Sequence, residues 1–181
     1  MPFDHFDVIA PVYARVTYSS LDKMRDVAAL PVRGRLLDVG GGTGRVATAL
    51  RDLVDEVVIA DVSMGMLKQT VRPTLQPVCV FSESLPFPSD SFERILMVDA
   101  LHHVVDQPAT AREMFRVLKP GGRIVIEEPD IRTFPVKLIA LAEKLLLMRS
   151  HFLSPQQIAN LFRDATIHAE DSSAWVVVTK E

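Results

Sequence analysis

The residues of this chain that could do chemistry sit in a few short stretches, each at the end of an apolar run. The densest is LLDVGGGTGR, Leu36 to Arg45, which places Asp38 directly before Gly40, Gly41, Gly42 and Gly44. Glycines there let the backbone turn sharply and let a ligand approach amides that side chains would otherwise cover. A dinucleotide fingerprint, G-x-G-x-x-G, begun at Gly40 needs glycine where Arg45 stands, and begun at Gly42 needs it where Ala47 stands. The spacing is therefore Gly40-x-Gly42-x-Gly44, a different pattern. A pyrophosphate is served by free amides alone, whereas an amino-acid moiety also needs an acceptor for its ammonium; Asp38 favours a ligand of the second kind. Asp61 closes the next apolar run, where a carboxylate can accept two hydrogen bonds from a ribose diol. The plainer readings are a structural glycine turn and a helix-start acid.

Elements must position these residues. Arg35–Val39, Glu56–Ala60, Pro77–Phe81, Arg94–Val98 and Arg123–Glu127 are short, apolar and β-branched, which predicts five buried parallel strands. Helical patterns fall between them: 45–53 after the glycines, 64–71 behind an N-cap at Ser63, and 108–118 stopped by Lys119-Pro120-Gly121-Gly122. Strand–helix alternation implies crossovers, and crossovers imply a doubly wound α/β sheet. Beyond it, Phe134–Met148 reads as a strongly apolar helix, and Ser154-Pro155-Gln156-Gln157 as a capping box opening a helix to about Phe162. Thr166–Ala169 and Ala174–Thr179, separated by a polar turn, suit a closing hairpin. No internal repeat or linker splits the chain.

Composition narrows the function classes. With 181 residues, 48% hydrophobic and 24% charged, the chain has the composition of one globular domain. Its 20 basic against 23 acidic residues give a net charge of −3, without the basic excess that a nucleic-acid partner calls for. One cysteine, Cys79, allows neither an internal disulfide nor a cysteine-rich metal site, so no metal is expected and a reducing, cytoplasmic setting is. The opening MPFDHFDVIAPVYARV lacks the pattern of a signal peptide, and Leu138–Met148 is too short and too interrupted by charge to span a bilayer.

Taken together, DVGGGTG, IADVSMGML, LPFPSDSFERILMVDALHHV and FRVLKPGGRIVIEEP, in that order within residues 34–130, resemble the class I S-adenosylmethionine-dependent methyltransferases. The nearest subgroup is the one containing the ubiquinone- and menaquinone-biosynthesis methyltransferases. The resemblance implies a single Rossmann-like, doubly wound sheet of seven strands, mostly parallel with an antiparallel last strand. It implies S-adenosylmethionine as cofactor, S-adenosylhomocysteine as product, and in-line methyl transfer to a small, apolar or aromatic acceptor. Residues 1–33 would form an N-terminal cap, 34–130 the cofactor-binding core, and 131–181 helices plus the closing hairpin.

Matched position by position, Asp38, Gly40, Gly41, Gly42 and Gly44 would hold the methionine part of the cofactor, Asp61 its ribose, and Val62 and Met66 its adenine. Where many family members carry an adenine-binding aspartate, this chain has Phe81. Adenine recognition then falls to backbone at Phe81 and Ser82, to ring packing, or to Glu83. Tyr13, in an N-terminal segment similar to the family's, would approach the cofactor's carboxylate, although Ala14 replaces the aspartate that usually follows.

In open α/β sheets a ligand sits beyond the carboxyl ends of the strands. That places Asp99, His102 and His103 beside it, with Asp99 lining the pocket through its backbone. The two histidines are candidates for a general base where the acceptor must lose a proton, or for a positioning role. Glu127 and Glu128, adjacent on a strand end, point to opposite sides, so at most one faces the acceptor. The apolar 134–148 helix has four readings: core packing, an acceptor pocket, peripheral membrane contact, or a homodimer interface. An arsenic acceptor is disfavoured by the single cysteine. The competing reading of the whole chain is a cofactor-binding regulatory or interaction protein without transferase activity.

Overall fold

The computed structural model describes residues 21–70, 74–145 and 150–181. Among them seven strands form one sheet: β1 (Arg35–Val39), β2 (Glu56–Asp61), β3 (Leu75–Cys79), β4 (Phe92–Val98), β5 (Leu118–Pro129), β6 (Ala165–Glu170) and β7 (Ser173–Thr179). Their order is β3-β2-β1-β4-β5-β7-β6. β1 to β5 pair in parallel, and β7 runs antiparallel to both β5 and β6. The chain thus winds outward from β1 in two directions, and β1 and β4 flank the point where it reverses.

Alternation along the central strands assigns their side chains to two cores. Leu36, Val57, Ile59, Leu96, Val125 and Trp175 pack with Met24 from helix α1 (Leu21–Val27), with Val46, Ala47 and Leu50 from α2 (Arg45–Leu50), and with Leu67 from α3 (Met64–Leu67). Leu37, Val39, Val58, Ile95, Met97, Ile124, Ile126 and Val176 face the other way. They are covered by Met114 and Val117 of α4 (Gln107–Val117) and by Ile158 and Ala159 of α6 (Pro155–Ala159). These strands are apolar in near-continuous runs because both faces are buried. The expected fold class and its antiparallel closing strand are both found.

Several boundaries differ from the sequence expectation. β3 occupies 75–79 instead of 77–81, because Leu75 pairs with Val57 and Cys79 with Asp61, which leaves Val80 and Phe81 beyond the sheet. The helix expected over 45–53 is α-helical to Leu50 and continues as a tighter turn over Arg51–Leu53. The 64–71 helix is a single turn, Met64–Leu67, capped by the Ser63 hydroxyl; residues 71–73 lie outside the described set. The helix opened by the Ser154 capping box is present but ends at Ala159, short of Phe162.

Lys119-Pro120-Gly121-Gly122 ends α4 as expected, yet it lies inside β5. Phe92 opposes Leu118 and Arg94 opposes Arg123, so the extra residues form an irregular bulge. Gly121 N–H donates to the Lys180 carbonyl at 2.7 Å and Lys180 N–H to the Gly122 carbonyl at 3.1 Å, binding the bulge to the segment after β7. Of the 134–148 helix, Phe134–Leu145 is described as α5; Phe134, Leu138, Ile139 and Leu141 are exposed, and Val136 is buried. Among the described residues no helix is long and apolar enough to cross a membrane.

Candidate functional site

The site begins where β1 gives way to α2. Gly40 and Gly42 have φ of 70° and 54°, left-handed backbone that side-chain-bearing residues rarely adopt. Gly40 N–H donates to the Ala60 carbonyl at 2.7 Å, folding the loop over the end of β2. A Cβ on Gly40 would stand 2.6 Å from that of Ala100, so the approach of this loop to the end of β4 requires glycine. From β2, the Asp61 carboxylate accepts from Gly42 N–H at 2.8 Å through one oxygen and from Ser63 N–H at 2.7 Å through the other. Its orientation is thereby fixed by the loop on one side and the start of α3 on the other.

A cleft of about 190 Å³ opens at this end of the sheet. Of the residues singled out in the sequence, Gly40, Gly42, Asp61, Val62, Met66, Ser82, Glu83, Asp99 and His103 line it. Phe81 also lines it and is 66% exposed. Asp99 takes a positive φ of 52° and its N–H donates to the Glu127 carbonyl at 2.8 Å, which ties the end of β4 to β5. Glu83 accepts from Asp106 N–H at 3.2 Å, and the hydroxyls of Ser82 and Thr110 are 2.9 Å apart, so the wall beyond β3 is braced against α4.

Other expected residues stand elsewhere. Asp38 does not reach the cleft. The pleat of β1 directs it to the same face as Leu36, under α2, where it is 1% exposed and accepts a hydrogen bond from the Ala47 amide. Its Oδ2 has no hydrogen-bond partner among the described residues and lies where a Cβ on Gly41 would come within 2.7 Å. Burial, with a smaller contribution from Asp61, pushes its carboxyl up to about 7. Gly41 therefore covers Asp38, and Gly44 packs on Ile59, where a Cβ would meet its Cδ1 at 2.6 Å; neither glycine lines the cleft. Tyr13 lies outside the described residues.

The two histidines separate. His102 is 2% exposed, stacked on Phe152 at 4.3 Å between ring centroids, and its Nδ1 is 2.6 Å from Glu128 Oε2. Burial acts to lower its pKa, but the carboxylates of Glu128, Asp99 and Glu143 together raise it, and the net direction is upward. Glu128 Oε1 also accepts from the Ala100 and Leu101 amides, at 2.9 and 2.7 Å, so one carboxylate shapes the whole turn after β4. His103 lies on the cleft wall, its ring centroid 3.9 Å from that of His102 and its Nδ1 3.3 Å from Ser150 Oγ. Burial and the neighbouring imidazole push His103 down to about 3, so it is neutral throughout the physiological range.

Sequence reasoning pairs neither Glu128 with His102 nor either histidine with Glu143 of α5. Among the described residues, donor atoms of His102, His103 and Glu143 lie within 4.8 Å of one another. The one available signal is strand alternation, which separates Glu128 from Glu127 without naming a partner.

A family model described as a methyltransferase domain matches residues 13–169. The ubiquinone/menaquinone biosynthesis C-methyltransferase UbiE of Coxiella burnetii is 40% identical over 105 residues, covering 52% of this chain and 42% of that protein. A demethylmenaquinone methyltransferase of Clavibacter sepedonicus is 35% identical over 164 residues, covering 82% of this chain and 66% of the relative. The match thus spans less than half of the first relative and about two thirds of the second. Among solved structures, a SAM-dependent methyltransferase of Thermotoga maritima superposes with a TM-score of 0.82 at 21% identity, covering 97% of this chain and 98% of its own, a likeness of fold.

Proposed function

Because this chain belongs to the S-adenosylmethionine-dependent methyltransferases of class I, we propose that it transfers a methyl group to a small, apolar or aromatic acceptor, with the ring carbon of a quinol-type substrate as the first candidate. The observation that carries this reading is the juxtaposition of the Gly40–Gly42 turn and the Asp61 carboxylate on one cleft. The residues present fit the cofactor. A Cβ on Gly42 would stand 3.6 Å from Met66 Cε and 3.9 Å from Asp61 Oδ2, which is space a ligand can use only while the position is glycine. A carboxylate can accept up to about four hydrogen bonds, so a ribose diol can add to the two amides that orient Asp61.

When bound, the cofactor supplies an electrophilic methyl group. The chain's own task is to hold the acceptor in line with it and to keep water out. Met66, Val80, Met97 and Val104 give the cleft its apolar lining, and Phe81 and Val62 offer apolar surface to a flat ring from the open side. Val62 and Met66 suit adenine packing, with Ser82 and Glu83 at the same wall. Asp38 acts indirectly, supporting the glycine turn from beneath.

Neither histidine suits the role of a free general base. His102 is sealed against Glu128, and His103, held near 3, is too weak a base for proton removal near neutral pH. His103 instead offers a neutral imidazole to the acceptor end of the cleft.

Calorimetry with S-adenosylhomocysteine should give saturable binding by the wild type and at least tenfold weaker binding by Asp61→Ala. Equal affinities would remove the role given to Asp61. Transfer of a labelled methyl group from S-adenosylmethionine, assayed against reduced quinone analogues, phenols and small amines, then tests the acceptor. Cofactor binding without transfer to any of them would favour the regulatory reading.

A further inference from the structure

We propose that His102, His103 and Glu143 form a binding site for one divalent transition-metal cation of the zinc type, at the edge of the cleft. The three residues come from two elements far apart in sequence, the turn after β4 and helix α5, yet their donor atoms lie within 4.8 Å of one another. Bonds of about 2.0–2.2 Å around a tetrahedral ion put neighbouring donors roughly 3.3 Å apart, so closure needs donor movements of about 1.5 Å at most. Glu143 can supply that movement by side-chain rotation, since it is only partly buried.

Two further observations point to a cation. Glu143 Oε2 is itself buried and has no hydrogen-bond partner among the described residues, a costly state for a carboxylate oxygen. Behind His102, Glu128 Oε2 stands 2.6 Å from Nδ1, which leaves Nε2 as the nitrogen that ring can present. A carboxylate holding the far nitrogen of an imidazole is the arrangement that orients histidine ligands of metal ions and raises their basicity. The His102 ring stacks on Phe152, with His103 tilted against it at 3.9 Å between ring centroids, so its plane is fixed.

The donor set selects the ion. Two imidazoles and one carboxylate suit zinc and its first-row neighbours, whereas magnesium and calcium prefer oxygen donors throughout. Three protein ligands leave one tetrahedral position open, and His103 belongs both to this group and to the cleft wall. The charges of Glu128 and Glu143 together balance a divalent ion.

The test uses protein stripped by chelator dialysis and titrated with Zn²⁺ by calorimetry and with Co²⁺ by visible absorption. One equivalent should saturate the wild type, with Co²⁺ giving the ligand-field bands of a four-coordinate nitrogen–oxygen site. Glu143→Gln and His103→Gln should each weaken binding at least tenfold, and Glu128→Gln by about 10–100-fold through loss of ring orientation. Circular dichroism of metal-free Glu143→Gln should match the wild type, which separates lost ligation from lost folding. Absence of saturable uptake by the wild type would overturn the proposal in favour of an imidazolium bridging the two glutamates. Uptake unchanged in both Glu143→Gln and His103→Gln would overturn it in favour of a surface cation.

Discussion

Asp38 should make the free protein less stable as pH rises from 5 to 7, and Asp38→Asn should abolish that dependence. The carboxyl has an unperturbed value of 3.8 and is pushed up to about 7 in the folded chain, chiefly by burial, against a partial offset from the Ala47 amide. Between those two values the folded state keeps a proton that the unfolded state has released. Stability therefore falls with increasing pH: the contribution is fully present below about 4 and is lost as the pH passes through about 7. Integrating the two titrations gives a loss of about 2 kcal/mol between pH 5 and 7, within a limiting loss of about 4 kcal/mol at higher pH. Asp55, Glu93, Glu113 and Asp130 are shifted downward and lose stability as pH falls, and His103, pushed down to about 3, also favours higher pH, but all are common to both proteins. The measurement is urea denaturation of wild type and Asp38→Asn at half-unit pH steps, without ligand. A difference in unfolding free energy that stays flat from pH 5 to 7 would refute the claim that Asp38 is buried and protonated beneath the glycine turn.

Two substitutions probe the cleft itself. Gly40→Ala must place a Cβ 2.6 Å from that of Ala100 at a φ of 70°, so it should destabilise the protein by about 1–3 kcal/mol, read as a lower melting temperature. An unchanged melting temperature would mean that the loop does not approach β4 this closely. Phe81→Ala removes a ring that is 66% exposed, so stability should stay within about 0.5 kcal/mol while affinity for S-adenosylhomocysteine falls about 2–10-fold. Calorimetry and a thermal melt on one sample separate the two effects, and unchanged affinity would remove Phe81 from the ligand's surroundings.

The sheet is readable from sequence because its strands are buried on both faces. RLLDV, EVVIA and RILMV are short, mostly apolar runs, and each ends where a turn or acid begins. β3 begins two residues before the apolar run PVCVF, because Leu75 and Gln76 belong to the strand but not to that run. The Lys119–Gly122 stop correctly ends α4 but conceals the strand that runs through it. Proline and glycine announce an interruption, and only the pairing of Gly121 and Gly122 with Lys180 shows that the sheet continues across it. The hairpin at 170–173 is legible because a two-residue turn at Asp171–Ser172 fixes the register of both strands.

The site divides along a different line. Motif spacing locates Gly40, Gly42 and Asp61 on the cleft because each belongs to the turn that makes the cleft, where chain position and spatial position coincide. Asp38 lies one strand residue before that turn, and there the pleat decides the outcome: residue 38 shares a face with Leu36, so its charge is turned under α2 and acts on the loop from behind. The same rule sends Glu127 and Glu128 to opposite faces and brings Glu128 beneath His102, but a period of two names a face and not a neighbour. The neighbour comes from the return of the chain through α5 and Phe152, a closure some forty residues after the histidines that no local pattern encodes. An acid beside a ligand-binding turn can thus be carried to its element by motif alone. Whether it touches the ligand, braces the loop or holds a histidine depends on strand parity and on which helix covers that face.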